Sequence, residues 1–277
     1  MDWSHVVTDW QPGVLSHVGM ALELATAGLY GFGVLRLRRA GRRWPLSRLA
    51  CFLGGLLTIA FVLQSGFARE DDQLLWVHVT SHLVLMMLAP PLLALGAPVR
   101  LCLAAGSGGV RRFVAGLLHD PSMRLVAGTS AAVMLPLDYY GSMALYLLTP
   151  LYRLSEAHLV FHELVHVYFL ACGLMFWVPL LGQDPAPWRP GYLMKLRLLL
   201  VGVPVYAGLA IALMAEGRSV NPAHPLADLR RGALVLGAEG VALTVAGATL
   251  VAVRERRRRD ARAERAGARP ALVPAPR

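Results

Sequence analysis

AHLVFHELVHVYFLACGLMFWVPLLG, residues 157–182, is apolar enough and long enough to cross a bilayer as a helix, and it carries His158, His162 and His166 at four-residue spacing. Each four-residue step on a helix advances only about 40°, so the three imidazoles form one stripe roughly 12 Å long. Packing alone does not explain such a stripe, because an imidazole left in lipid without a partner costs on the order of 1 to 3 kcal/mol. The segment therefore sets the class of fold and also the place to look for function.

Outward from it, the whole chain has the same character. It has 277 residues, 56% of them hydrophobic and 16% charged, with a mean hydropathy of +0.52, outside the range of ordinary soluble domains. Apolar runs near 14–35, 46–67, 73–97, 125–148, 157–181, 196–216 and 232–253 each approach or exceed the roughly 20 residues a span needs. These predict an all-α, polytopic membrane protein, a bundle of seven transmembrane helices. Residues 1–13 form a short external N-terminus, 14–253 the membrane domain, and 254–277 a basic cytoplasmic tail whose end, ARPALVPAPR, is expected to be disordered. Pro90 and Pro91 predict a kink or a break in the third helix, whose freed carbonyls must then be buried against protein or water.

Cytoplasmic segments of membrane proteins carry the excess of Lys and Arg. With the N-terminus outside, 22 of the 27 basic residues fall on the inner side, and Glu70, Asp71 and Asp72 fall outside. An N-out, C-in topology follows. Asp2 and Asp9 precede the first apolar run and Arg36 to Arg43 follow it, the reverse of a cleavable signal peptide, so it is expected to stay as helix one. The net charge of +10 belongs to this topology and to anionic lipid; no nucleic-acid partner is expected. Cys51, Cys102 and Cys172 form no CxxC pair, which argues against a disulfide framework or a thiolate metal chaperone.

Eight of the nine histidines lie on the external side or in the outer half of a helix. Counted at 1.5 Å per residue from their outer ends, His78 and His82 on helix three lie roughly 8 and 14 Å deep, level with His162 and His166 on helix five. Two such pairs on separate helices can share one metal ion, and neutral imidazole is the commonest ligand for copper and zinc. His17 with Met20 on helix one is a further candidate wall, Met86 and Met87 extend the set toward Cu(I), and His158 is an interfacial or entrance ligand. Glu23, Asp138, Glu163 and Glu239 also lie within spans, where ionisable groups are costly. Glu23 is a candidate acceptor for a histidine N–H. Glu163, next to His162, projects about 100° away from it, toward another helix or solvent. The bland reading of all four is interhelical hydrogen bonding.

Two other chemistries use the same residues. HELVH, 162–166, fits the HExxH pattern of a zinc metalloprotease, here one within the membrane with Glu163 as base. That reading lacks an evident third protein ligand, since Asp138 has the wrong local context. A histidine pair across helices can also hold haem iron. A retinal protein is excluded, because Lys195, the only lysine, sits at the start of helix six instead of within the last helix.

HVTSHLVLMMLAPPLLALGAPVRL, residues 78–101, resembles the caa3-type cytochrome c oxidase assembly factor family, CtaG, with two histidines four apart before an APPLL run. HELVHVYFLACGLMFWVPLLGQDPAP, residues 162–187, is similar to the family's histidine-rich helix and its FW-x-P-x-x-G-x-DP-x-P exit. The resemblance implies a multi-pass bacterial plasma-membrane protein, not itself an enzyme, that helps to build a haem-copper oxidase at the step of copper-centre maturation. Its partners would be an oxidase subunit and a copper donor protein, and it carries over His78, His82, His162 and His166. Two places depart from the family pattern. Helix four, VMLPLDYYGSMALYLL, lacks a histidine that many members have, and ADLRRG at 227–232 replaces the usual start of helix seven, leaving the role of Asp228 open.

Overall fold

A computed structural model describes residue 10 and residues 13–71, 73–120, 131–186, 188–215 and 225–267. The expectations for most of the external N-terminus, for residues 125–130 of the fourth apolar run and for the disordered end past 267 lie outside these. The described chain is all-helical, 86% helix without strands, and holds seven helices long and apolar enough to span a membrane. The spans are built from α1 (Val14–Arg39), α2 (Leu46–Gln64) with the short α3 (Gly66–Arg69), α4 (Leu75–Met87) with α5 (Ala89–Gly96) and α6 (Pro98–Ala105), α8 (Ala131–Leu148), α10 (Leu159–Leu181), α11 (Tyr192–Leu200) with α12 (Gly202–Ala215), and α13 (Leu226–Gly267). Two further helices, α7 (Gly108–His119) and α9 (Leu151–Ala157), connect them.

The third span is the spine. In its most apolar window 72% of residues are buried inside the bundle, against 11% for the first span. Val77, Val84, Leu85, Ala89 and Leu93 face one apolar core with α1 and α2; Leu75, Val79, Leu83, Met86 and Met87 face another with α8, α10, α12 and α13. The outer sides of α1 and α10 are apolar and open, as at Leu22, Leu29, Leu164 and Val167, a surface that lipid covers in a multi-pass protein.

The expected break falls at Leu88 (φ −114°, ψ −51°), between α4 and α5. Its cause is covalent: Pro90 and Pro91 have no N–H to give to the carbonyls of Met86 and Met87. The Met86 carbonyl is taken up instead by Trp177 Nε1 (3.1 Å) and the Tyr139 hydroxyl (3.2 Å). For Trp177 to reach it, α10 must pass very close. Gly173 allows this, since a Cβ there would lie 2.5 Å from Pro90 Cγ and 2.7 Å from the Met86 oxygen. The α5–α6 corner turns at Ala97 in the left-handed region (φ 54°). Asp184 then caps α6, accepting from Arg100 N (2.7 Å) and Val99 N (3.2 Å).

One boundary differs from expectation. The seventh helix continues through the arginine-rich segment to Gly267, 42 residues in all, because 254–267 has no proline and is rich in Ala, Arg and Glu, all strong helix formers. Glu255 and Arg259 pair along it at 3.6 Å. Arg258 anchors its base by donating to the Leu181 (3.1 Å) and Gly182 (3.3 Å) carbonyls at the end of α10.

Candidate metal centre

His78 and His82 lie one turn apart on the buried face of α4, and His162 and His166 do the same on α10. The two pairs meet level with each other: ring centroids are 5.1 Å apart for His78–His162 and 5.0 Å for His82–His166. His78 and His82 are fully buried, and His162 and His166 are 6% exposed. Asp228, on α13, accepts from Leu75 N (2.7 Å) and so caps the first turn of α4. That contact fixes the helix carrying His78 and His82, and gives Asp228 a definite structural role.

Asp71, which the sequence assigned to an external acidic run, reaches into the cluster. Its Oδ2 lies 3.0 Å from His78 Nδ1 and 3.5 Å from His162 Nε2. Burial pushes its carboxyl up, but His78, which donates to it, outweighs this together with His166 and His162, and holds it down at about 2. It therefore presents a carboxylate. Tyr146 of α8 supplies a hydroxyl 2.9 Å from His78 Nε2 and 2.6 Å from Ser155; the helix that lacks a histidine contributes a phenol. Glu156 stands 3.9 Å from His78 Nδ1.

The nitrogens carry a chemical message. His78 Nε2 and His82 Nε2 face each other at 2.8 Å, a separation two imidazole lone pairs sustain only with a proton or a cation between them. With His78 Nδ1 donating to Asp71, its Nε2 holds a lone pair. Among the described residues, His82 Nδ1, His162 Nε2, both nitrogens of His166 and Asp71 Oδ1 are buried without a hydrogen-bond partner. Such a concentration of orphaned donors and acceptors is costly unless a ligand satisfies it. Their atoms form two groups able to hold a metal ion: His78, His82 and His162, and Asp71, His162 and His166, with the donors of each within 4.8 Å of one another. The second group lines a cavity of about 380 Å³ between α1, α2 and α10, which Glu163 also lines.

The other candidates stand apart from this cluster. His17 is exposed at the start of α1, bonded through Nδ1 to the Gly13 carbonyl (2.7 Å). His158 is the exposed residue that begins α10. Met86 and Met87 belong to an apolar core. Glu23 accepts from Gln64 (2.9 Å), not from a histidine. Glu239 accepts from Thr80 (3.0 Å), and Asp138 from Tyr168 (2.6 Å) and Cys172 (3.1 Å), so all three make interhelical bonds. Glu163 projects away from His162 and is half-exposed, as expected, but its Oε2 comes within 3.6 Å of His166 Nδ1, three residues on along the helix.

Fold and site together define a multi-pass helical membrane protein whose buried His/Asp groups can hold a metal ion. The chain belongs to the cytochrome c oxidase caa3 assembly factor family (Caa3_CtaG), whose model matches residues 28–258. It is 35% identical over 199 residues to an uncharacterized protein of Mycobacterium leprae, covering 69% of this chain and 30% of that one. It is 30% identical over 226 residues to uncharacterized proteins of Mycobacterium bovis and Mycobacterium tuberculosis, covering 79% of this chain and 33% of each of those. The chain spans about a third of the length of the curated relatives it matches. No solved structure matches it.

Proposed function

We propose that this protein takes part in cytochrome c oxidase assembly by holding copper for the maturing copper centre, as cargo bound by His78, His82, His162 and His166. The observation that carries the reading is the cluster of orphaned imidazole nitrogens beside a carboxylate, in a family tied to oxidase assembly. The donor chemistry suits the cargo, because neutral imidazole binds copper in either oxidation state. In this reading the protein sits in a bacterial plasma membrane with its N-terminus outside, its cavity opens outward, and an oxidase subunit and a copper donor protein are its partners. No chemical turnover is needed.

Two experiments test this. Deleting the gene abolishes oxidase activity if the protein is required for assembly; unchanged activity refutes the role. The detergent-purified chain binds Cu(I) with a defined stoichiometry, and the double variant His78→Ala/His162→Ala removes it; unchanged binding in that variant refutes the site.

One observation favours a second reading. Asp71 supplies the third protein ligand that the HExxH reading lacked, with Glu163 on the same cavity wall. A zinc hydrolase would use Glu163 as the base. Glu163→Gln separates the two, because it abolishes hydrolysis but leaves a copper-holding assembly factor able to restore oxidase activity.

A further inference from the structure

We infer that the cluster is two successive copper positions hinged on His162: an outer one of Asp71, His162 and His166, and an inner one of His78, His82 and His162. The inference rests on the copper reading above and goes beyond it by giving the ion an order of contacts.

The observations behind it are geometric. The donors fall into two triads that have His162 in common. Asp71, His162 and His166 line the cavity, whose wall also includes the exposed Val14, Leu15 and Leu159, so an ion arriving from the surface meets them first. His78 and His82 do not line it and are fully buried. Because His162 belongs to both triads, an ion bound to one of its nitrogens can exchange Asp71 and His166 for His78 and His82 without leaving it.

The donor types give the path a direction. A carboxylate suits hard ions and binds Cu(I) weakly, whereas three imidazoles hold it well. The outer triad therefore captures and passes on, and the inner triad retains. Only dative Cu–O and Cu–N bonds form and break, the ion keeps its oxidation state, and no other reactant is needed. Asp71 serves both ends, since its Oδ2 also orients His78 through Nδ1.

The test is anaerobic Cu(I) uptake by the detergent-purified full chain, followed by stopped flow and, at equilibrium, by competition with a chromophoric chelator. Asp71→Asn still offers an oxygen to His78 Nδ1 but loses the anionic ligand. It is expected to slow uptake on the order of tenfold while lowering the final affinity by clearly less than His82→Ala does. His82→Ala is expected to do the reverse, lowering affinity roughly 100-fold with initial capture within about threefold. Where His82→Ala does not fold, His82→Gln takes its place, and His166→Ala gives a second probe of the outer position. Equal loss of affinity in the inner and outer variants would mark one undivided site, and an unchanged uptake rate in Asp71→Asn would remove the outer position. Either result overturns the inference and leaves the copper reading standing. A wild-type chain that takes up no Cu(I) overturns both.

Discussion

At the scale of single residues, the chemistry depends on which atoms remain unsatisfied. Copper and protons compete for the same imidazole lone pairs, so the Cu(I) affinity of the purified chain is expected to fall as the pH is lowered from about 7 to about 5, and to recover on return. A pH-independent affinity would show that the imidazoles are not the ligands. Asp184 gives a stability prediction away from the cluster. Its carboxylate caps α6, so Asp184→Ala is expected to cost about 1 kcal/mol, read as a lower thermal midpoint in detergent. Burial pushes this carboxyl up, and the N–H groups of Arg100 and Val99 only partly offset that. Because its folded value lies above the unfolded one, ionised Asp184 is a cost at neutral pH. That cost is relieved as the pH falls through the folded value toward 3.8. The thermal midpoint of wild type is therefore expected to gain on that of Asp184→Asn with acidification, and a gap that moves the other way would show that the carboxylate is favoured in the fold.

At the scale of elements, the broken third span and α10 depend on each other. The prolines free the Met86 carbonyl, Trp177 reoccupies it, and Gly173 grants the approach that makes this possible. Trp177→Phe leaves that carbonyl to Tyr139 alone and is expected to destabilise by about 1 to 3 kcal/mol. Gly173→Ala forces α10 away from Pro90, costing about 1 to 3 kcal/mol. It also pulls the α10 histidines out of level with those of α4, so it should weaken copper binding although it touches no ligand. A Gly173→Ala chain with wild-type affinity would show that the two helices tolerate a shift. Much of this was legible in the sequence: four-residue spacing and a constant rise per residue set the two pairs at one depth, and Pro90–Pro91 marked the break. Asp71 was not, because its acidic neighbours gave it the look of a solvent-facing run, and only tertiary packing turns it inward. The same limit applies to Tyr146 and Trp177, whose partners lie 68 and 91 residues away.

At the scale of the whole molecule, seven runs of apolar residues were enough to predict the bundle, since length and hydropathy leave few alternatives in a bilayer. They could not predict that the last helix outruns its apolar part, because the membrane criterion is blind to helix that continues in water. At 42 residues α13 is about 63 Å long, roughly twice the hydrocarbon thickness. Arg258 fixes its arginine-rich part to the end of α10, and Arg258→Ala is expected to leave the Leu181 and Gly182 carbonyls without that donor and to raise the protease sensitivity of the segment. Cleavage at an unchanged rate would show that the anchor holds nothing. With no proline along its length, α13 is a stiff shaft, and near its other end Asp228 grips the first turn of the helix that bears His78 and His82. One continuous helix thus touches both ends of the bundle, seating the close of α10 through Arg258 and the opening turn of the histidine-bearing α4 through Asp228.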